Sequence, residues 1–309
     1  MSLLVVGSLG IDTIETPFGK VENVLGGSAT YISTAASYFV TPIRLVGVVG
    51  GDFPKEYIDF LESRDIDLEG LQIMQGGKTF RWGGRYNYDL NTRDTLFTEL
   101  NCFEHFNPII PESYHKTTYV CLGNIDPVLQ RRVLEQIAKP RLVVGDTMNF
   151  WIKGKNAELK ETLKLMDIFV VNESEVRQLT DEPNLFKAAR MIIQLGPKIV
   201  VIKKGEHGAL MVTEKTIFSA PAYPLEIIND PTGAGDAFAG GLIGWIAKTD
   251  DLSEDNIKRA VIYGSALASF CVERFSLDRL KDLSYLEIQD RFREFRELSK
   301  FNEEVTAVG

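Results

Sequence analysis

The sequence is poor in the residues that build metal sites and disulfide frameworks: among 309 residues there are three cysteines and three histidines. Cys102, Cys121 and Cys271 include no C-x-x-C pair, so the sequence gives no sign of a disulfide scaffold or a zinc knuckle, and buried free thiols are expected. His105, His115 and His207 offer no i, i+4 pair that would put two zinc ligands on one helix face. Positive charge is scarce as well, with 34 Lys and Arg against 43 Asp and Glu and a formal charge of −9. That balance argues against the clustered basic footprint of nucleic-acid and anionic-lipid binders. The least polar stretches, residues 237–247 and 260–272, are well short of the roughly 20 residues that cross a bilayer. Residues 1–7 lack a basic region followed by a long apolar one, and read as a first strand entering a turn. A cytoplasmic protein with no nucleic-acid and no membrane partner is the expectation.

Three familiar catalytic signatures are also missing. Gly77-Lys78-Thr79 suggests a phosphate-binding P-loop, but the pattern needs a glycine at position 72, where Gln72 stands, and Phe80 to Tyr88 reads as strand instead of helix. Val5-Val6-Gly7-Ser8-Leu9-Gly10 opens like a dinucleotide-binding turn without the G-x-G-x-x-G arrangement. No G-x-S-x-G nucleophile elbow occurs.

What is present alternates. Short β-branched runs at Leu3 to Val6, Arg44 to Val49, Tyr119 to Leu122, Leu142 to Val144, Ile168 to Val171 and Ile199 to Ile202 read as buried strands. Stretches of helical period lie between most of them, as at Ser28 to Phe39, Pro127 to Ala138 and Leu185 to Leu195. This order predicts an α/β fold: a mostly parallel sheet covered by helices on both faces, with ligands at the carboxyl ends of the strands. Residues 12–25 and 78–100 break the pattern. Their polar-aromatic alternation, as in Thr79 to Tyr88, predicts exposed antiparallel strands that form a small β lid on one domain spanning residues 1–309.

The chemistry concentrates in Asp230-Pro231-Thr232-Gly233-Ala234-Gly235-Asp236-Ala237-Phe238. Gly233, Ala234 and Gly235 carry little or no side chain where a helix should begin, so unpaired N–H groups and the positive end of the dipole can meet an anion. Asp236 falls in the first turn of that helix. There it serves either as a base beside the anion site or as an ordinary acid complementing the dipole.

This nonapeptide resembles the C-terminal signature of the ribokinase-like carbohydrate and nucleoside kinases (the phosphofructokinase-B type), and the similarity runs in order along nearly the whole chain. Gly26-Gly27-Ser28-Ala29 resembles the family's N-terminal glycine pair, Asn172-Glu173-Ser174-Glu175 its N-x-x-E motif, and Gly205-Glu206-His207-Gly208 its nucleotide-side glycine turn. The resemblance implies an ATP-dependent phosphotransferase acting on a hydroxyl of a sugar, polyol or nucleoside, with ATP and Mg²⁺ bound. It implies Asp236 as base, Gly233, Ala234 and Gly235 as an anion hole, and Asp12 with the Gly26-Gly27 turn as acceptor ligands. Asn172 and Glu175 would hold Mg²⁺ through water, and Gly205 and Gly208 would pass the nucleotide over their backbone.

Each position also has a plainer reading. Asp12 follows a strand and can be a turn former, Gly26-Gly27 a loop-to-helix turn, and Asn172 with Glu175 a helix cap. Lys203 stands where the family commonly has a small hydroxyl residue, and is a candidate phosphate contact by point charge. Thr30 replaces a frequent Asn near the acceptor. Asn149 resembles an acceptor-side residue or a polar turn, and Ser265 either faces the purine pocket or serves tight helix packing. Phe275-Ser276 departs from the family's turn near its monovalent-cation loop, which leaves a K⁺ requirement open. Trp82, Tyr86 and Tyr88 touch the acceptor, bury a homodimer seam through the lid, or serve only surface-strand packing. A silent sugar or nucleoside sensor on the same fold is the alternative to an enzyme.

Overall fold

A computed structural model describes residues 1–300; the expected domain span includes residues 301–309, which lie outside the described residues. The strands are β1 (Leu3–Val6), β2 (Gly10–Thr16), β3 (Gly19–Gly26), β4 (Ile43–Gly50), β5 (Ile66–Met74), β6 (Phe80–Tyr86), β7 (Arg93–Glu99), β8 (Tyr119–Leu122), β9 (Leu142–Gly145), β10 (Ile168–Asn172), β11 (Ile199–Lys203), β12 (Ala209–Val212) and β13 (Ile217–Ala220). The helices are α1 (Ser28–Ala36), α2 (Lys55–Glu62), α3 (Pro127–Glu135), α4 (Asn149–Gly154), α5 (Asn156–Leu163), α6 (Glu173–Thr180), α7 (Leu185–Ile193), α8 (Ala234–Thr249), α9 (Glu254–Cys271), α10 (Asp278–Asp282) and α11 (Tyr285–Leu298).

Nine strands form one sheet in the order β13-β12-β11-β10-β9-β8-β1-β4-β5. It is parallel except where β12 and β13 turn back antiparallel at one edge. From β1 the chain first builds outward through β4 and β5, then returns to the other side of β1 with β8 and continues to β11. Strand order therefore reverses between β1 and β8, the place in such sheets where loops splay apart and leave a crevice. One core packs α1, α8 and α9 against one face of the sheet and a second packs α3, α5, α6 and α7 against the other.

Close helix packing fixes where the crevice lies. A Cβ at Gly240 would stand 2.4 Å from the Ile32 carbonyl of α1, one at Gly244 2.9 Å from Ala36 Cα, and one at Gly241 2.9 Å from the Tyr263 carbonyl of α9. Only glycine lets α8 sink between its two neighbours, with Leu242, Ile243 and Ile246 fully buried. Truncating any of those three to Ala would cost about 2–5 kcal/mol.

The remaining strands form a separate sheet, β3-β2-β6-β7, which is the expected lid. One detail corrects the sequence reading. The outer pairs are antiparallel, but β2 and β6 run parallel. The chain leaves the lid after β3 and returns through α1, β4, α2 and β5, so a long crossover replaces the tight turn that antiparallel neighbours need. Among the described residues no helix is long and apolar enough to cross a membrane.

Candidate active site

Strand ends and the start of α8 bring Asp12, Glu175, Lys203 and Asp236 of the predicted residues close together. Gly233 takes a left-handed conformation, φ 75°, directly before α8, and a side chain there would also strike the Tyr31 ring of α1. Among the described residues, the amides of Gly233 and Gly235 donate to no protein acceptor, while that of Ala234 reaches only Pro231 O at 3.3 Å. Asp236 occupies the third position of the helix, inside the same ring of amides. Burial and the nearby Asp146 push its pKa up to about 7, against the opposing pull of Lys203 and Arg93.

Asp12 lies on β2, buried, with its carboxylate over Gly26 of the paired strand. A Cβ at residue 26 would sit 2.0 Å from Asp12 Oδ2, so glycine there is the condition for Asp12 to face the crevice. Gly27 follows at φ 96°, where a Cβ would start 2.4 Å from the Ser8 carbonyl oxygen, and opens α1. Burial, with Asp230 and Asp236 nearby, lifts the Asp12 pKa to about 8 while Arg93 lowers it. Thr30 is fully buried and its hydroxyl donates to the Gly26 carbonyl at 2.9 Å, which holds the glycine turn from behind.

Asn172 and Glu175 form a reciprocal cap on α6. Asn172 Oδ1 accepts from the Glu175 amide at 2.8 Å and Glu175 Oε2 accepts from the Asn172 amide at 3.0 Å. That leaves one Glu175 oxygen for the crevice, where burial and Asp146 raise its pKa to about 7. The donor set fits Mg²⁺, which takes one or two carboxylates and keeps water and phosphate oxygens as its other ligands. The Asn172 carbonyl oxygen, spent on the cap, is the less available of the two.

Lys203, at the end of β11, points inward instead of out towards solvent. Its ammonium pairs with Asp146 Oδ2 at 3.2 Å and lies 2.8 Å from where a Cβ on Gly235 would be, directly beneath the amide ring. Burial disfavours its charge, but Asp146, Glu175 and Asp236 outweigh this and raise its pKa. The turn after it, with Gly205 at φ 54° and Gly208 at φ 80°, closes through Lys204 N to Gly208 O at 2.8 Å. Ser265 is buried in α9, next to the Gly264 that packs on Phe238. Asn149 opens α4 with its side chain exposed and joins no hydrogen bond to the acid cluster.

Asp146, three residues earlier and buried at the end of β9, is the residue from that segment which enters the site. The signal that could have found it was its place directly after a buried strand. Arg93 was missed as well. It begins β7 of the lid, lies over the Trp82 ring at 5.3 Å and bonds Tyr86, whose hydroxyl in turn accepts from Thr232 Oγ1 at 3.1 Å. Burial works against the Arg93 charge, yet Tyr86, Glu175 and Asp236 raise its pKa. Although Arg93 is solvent-accessible, it stands among these groups, as a residue lining a water-filled cleft does. Tyr88, by contrast, is 88% exposed at the lid tip.

A lidded α/β sheet with an amide ring, a carboxylate inside that ring and an acid facing it defines a small-molecule kinase. The chain belongs to the pfkB family of carbohydrate kinases, whose pattern matches residues 2–281. It is 32% identical over 260 residues to a cytidine kinase of Thermococcus kodakarensis, a match covering 82% of this chain and 91% of the relative. Its fold is that of the Methanocaldococcus jannaschii nucleoside kinase, an archaeal member of the ribokinase family, with TM-score 0.75 and 19% identity over 95% of this chain and 98% of the other. A putative ribokinase II from E. coli in complex with ATP and Mg²⁺ has TM-score 0.77 and 18% identity, over 95% and 99% of the two chains. The chain is therefore an ATP-dependent carbohydrate or nucleoside kinase, and the silent-sensor alternative finds no support.

Proposed function

We propose that this kinase transfers the γ-phosphoryl group of ATP to a hydroxyl of a nucleoside, with Asp236 as the base. The observation that carries the reading is the position of Asp236: a carboxylate with a pKa near neutrality, in the first turn of α8 beside the unpaired amides of Gly233 and Gly235 and near enough to Asp12 to raise its pKa. A carboxylate would weaken a plain anion site, but a transfer site needs a base beside the phosphate. The similarity to a cytidine kinase supports a nucleoside over a free sugar.

On this reading Asp12 and the backbone of Gly26 and Gly27 hold vicinal hydroxyls, with Thr30 keeping the turn in place. Asn149, exposed at the start of α4, would reach the acceptor only from outside the acid cluster. Asp236 takes the proton of the attacking hydroxyl, and the amides of Gly233, Ala234 and Gly235 stabilise charge on the transferred group. Lys203 supports the same loop from below and faces the phosphates as a point charge. Gly205, Gly208 and Ser265 line the nucleotide end. Mg²⁺, held by Glu175 and through water near Asn172, neutralises polyphosphate charge when bound. The whole chain acts as one catalytic unit under its lid, and a second copy would pair through that lid, where Leu96 and Phe97 are exposed.

The test is turnover with Mg·ATP on cytidine, uridine, adenosine, inosine, ribose, fructose and myo-inositol. Nucleosides should give the highest kcat/KM. A clear preference for ribose, fructose or myo-inositol would overturn the nucleoside assignment, and a folded chain that binds acceptors without phosphorylating any would overturn the base assignment.

A further inference from the structure

The lid hairpin of β6 and β7 meets the body of the protein at three separate places. At its root the Phe80 ring packs on Phe103 with centroids 5.5 Å apart, and Asn101 Nδ2 donates to the Thr79 carbonyl at 2.9 Å. At the far ends of the strands Tyr86 meets Thr232, and Arg93 stands near Glu175 and Asp236. Beyond them the connecting turn, residues 87–92, reaches the turn that follows β11: Asn91 Nδ2 donates to Glu206 Oε1 at 3.4 Å, and Asn91 Oδ1 lies 3.0 Å from where a Cβ on Gly205 would be. Root and tip are separated by strands of seven residues, about 23 Å of extended chain.

The tip is shaped by its own bonds. Asp89 Oδ1 accepts from the amides of Asn91 and Thr92, each at 3.1 Å, and from the Thr92 hydroxyl at 2.8 Å. Leu90 takes a left-handed conformation, φ 54°, and the Asn87 amide closes the turn on the Thr92 carbonyl at 2.9 Å. The backbone that carries Asn91 is therefore already fixed, and the contact with residues 205 and 206 has little else to order. On the other side Gly205 has two reasons to be bare: its φ of 54° favours glycine, and a side chain there would crowd the Asn91 amide. One exposed bond of 3.4 Å is weak in itself, but it lies at the end of the hairpin farthest from the root. Swinging the lid open about its root moves the tip most, so this contact must part before the crevice widens.

We propose that Asn91 is a positioning residue for the nucleotide end of the site: through Glu206 it latches the lid hairpin to the Gly205–Gly208 turn, so that one lid encloses nucleotide and acceptor together. A nucleotide that crosses this turn leaves only when the latch parts. Asn91 acts through the turn and touches none of the reacting atoms. The inference rests on the nucleotide role given above to Gly205 and Gly208.

The experiment is stopped-flow release of Mg·mant-ATP, a fluorescent nucleotide, chased by excess ATP with no acceptor added, in the full chain and its variants. Asn91→Asp sets a second carboxylate opposite Glu206 and should speed release about three- to tenfold. In a Glu206→Gln background an amide at position 206 can donate to the new carboxylate, and there the same change should alter release by less than about twofold. Effects of equal size in the two backgrounds, zero included, would overturn the proposal, because a contribution of Asn91 to the hairpin's own stability does not depend on residue 206. Slower release in Asn91→Asp would overturn it too. Melting temperatures within about 1 °C of the parent are expected, since residue 91 is exposed. If the chain binds mant-ATP but phosphorylates no acceptor, the kinase reading fails and the release rates still decide the latch; if it binds no mant-ATP, the nucleotide role of the turn falls and the proposal falls with it.

Discussion

The sharpest test of the acceptor side is Gly26→Ala. The new methyl would begin 2.0 Å from Asp12 Oδ2, 2.3 Å from its Cγ and 2.8 Å from Oδ1, so the entire carboxylate is in the way. Ordinary contact starts near 3.4 Å, and the carboxylate must retreat by about 1.4 Å to reach it. Asp12 is buried on a paired strand and has little room to do so without changing its aim. A misplacement of about 1 Å at a reacting centre costs on the order of 10²-fold. The loss of two hydrogen bonds to a charged group, each about 1.5–3 kcal/mol, gives the same scale or more. The expected result is a fall of about 10²- to 10³-fold in kcat/KM for the nucleoside, with KM for Mg·ATP within about threefold of the parent. Steady-state kinetics with each substrate varied in turn measures both, and a thermal melt confirms folding. A folded Gly26→Ala protein with normal acceptor kinetics would refute the placement of Asp12.

Asp236→Asn should remove about 10²- to 10⁴-fold of kcat and leave nucleotide affinity within about tenfold, because the amide ring survives; near-normal turnover would refute the base assignment. With Asp236 near 7 in the ligand-free protein, kcat/KM should rise with pH through neutrality and then level. Lys203→Met removes a charge that lowers that pKa, so the rising limb should move to higher pH; an unmoved limb would show that Lys203 does not act on Asp236. Folded-state values of about 8 for Asp12 and about 7 for Glu175 and Asp236 exceed ordinary carboxylate values, so the unfolded chain releases these protons first. Their contribution to stability is complete below about pH 4 and lost as pH rises through 7 to 8, so the ligand-free melting temperature should fall between pH 5 and 8.5. Asn172→Ala breaks the α6 cap and should cost about 1 kcal/mol by denaturant titration, a loss that Asn172→Asp should largely restore.

Most of the sheet was legible because its strands are buried on both faces and read as unbroken apolar runs. The six strand expectations coincide with β1, β4, β8, β9, β10 and β11 to within a residue or two. β5 was not legible: it is an edge strand, IDLEGLQIM, whose mixed burial gives neither a run nor a clean alternation. The lid could be located by its composition but its central pairing could not, because a parallel neighbour depends on a crossover through four other elements. In the site, the glycine-rich motifs were legible because close approach and left-handed backbone leave few residue choices. Lys203 was legible as a departure, but its inward aim was not, since that depends on Asp146 from a neighbouring strand.

Arg93 shows why a lid residue escapes a reading of motifs. Among the described residues, the crevice gathers five carboxyl groups, Asp12, Asp146, Glu175, Asp230 and Asp236, against the two cations Lys203 and Arg93. Lys203 ends a strand of the main sheet, while Arg93 begins a strand of the lid, and Arg93 lowers the pKa of Asp12, Glu175 and Asp236 alike. Arg93 therefore shifts the proposed base towards the ionised form it needs. Nothing in Asn91-Thr92-Arg93-Asp94 marks that role, since in sequence it is one exposed arginine on an exposed strand. Its meaning comes from the fold: Tyr86, paired with it across β6 and β7, also meets Thr232 beside the amide ring. The lid, the proposed base and the proposed phosphate loop meet at that tyrosine–arginine pair.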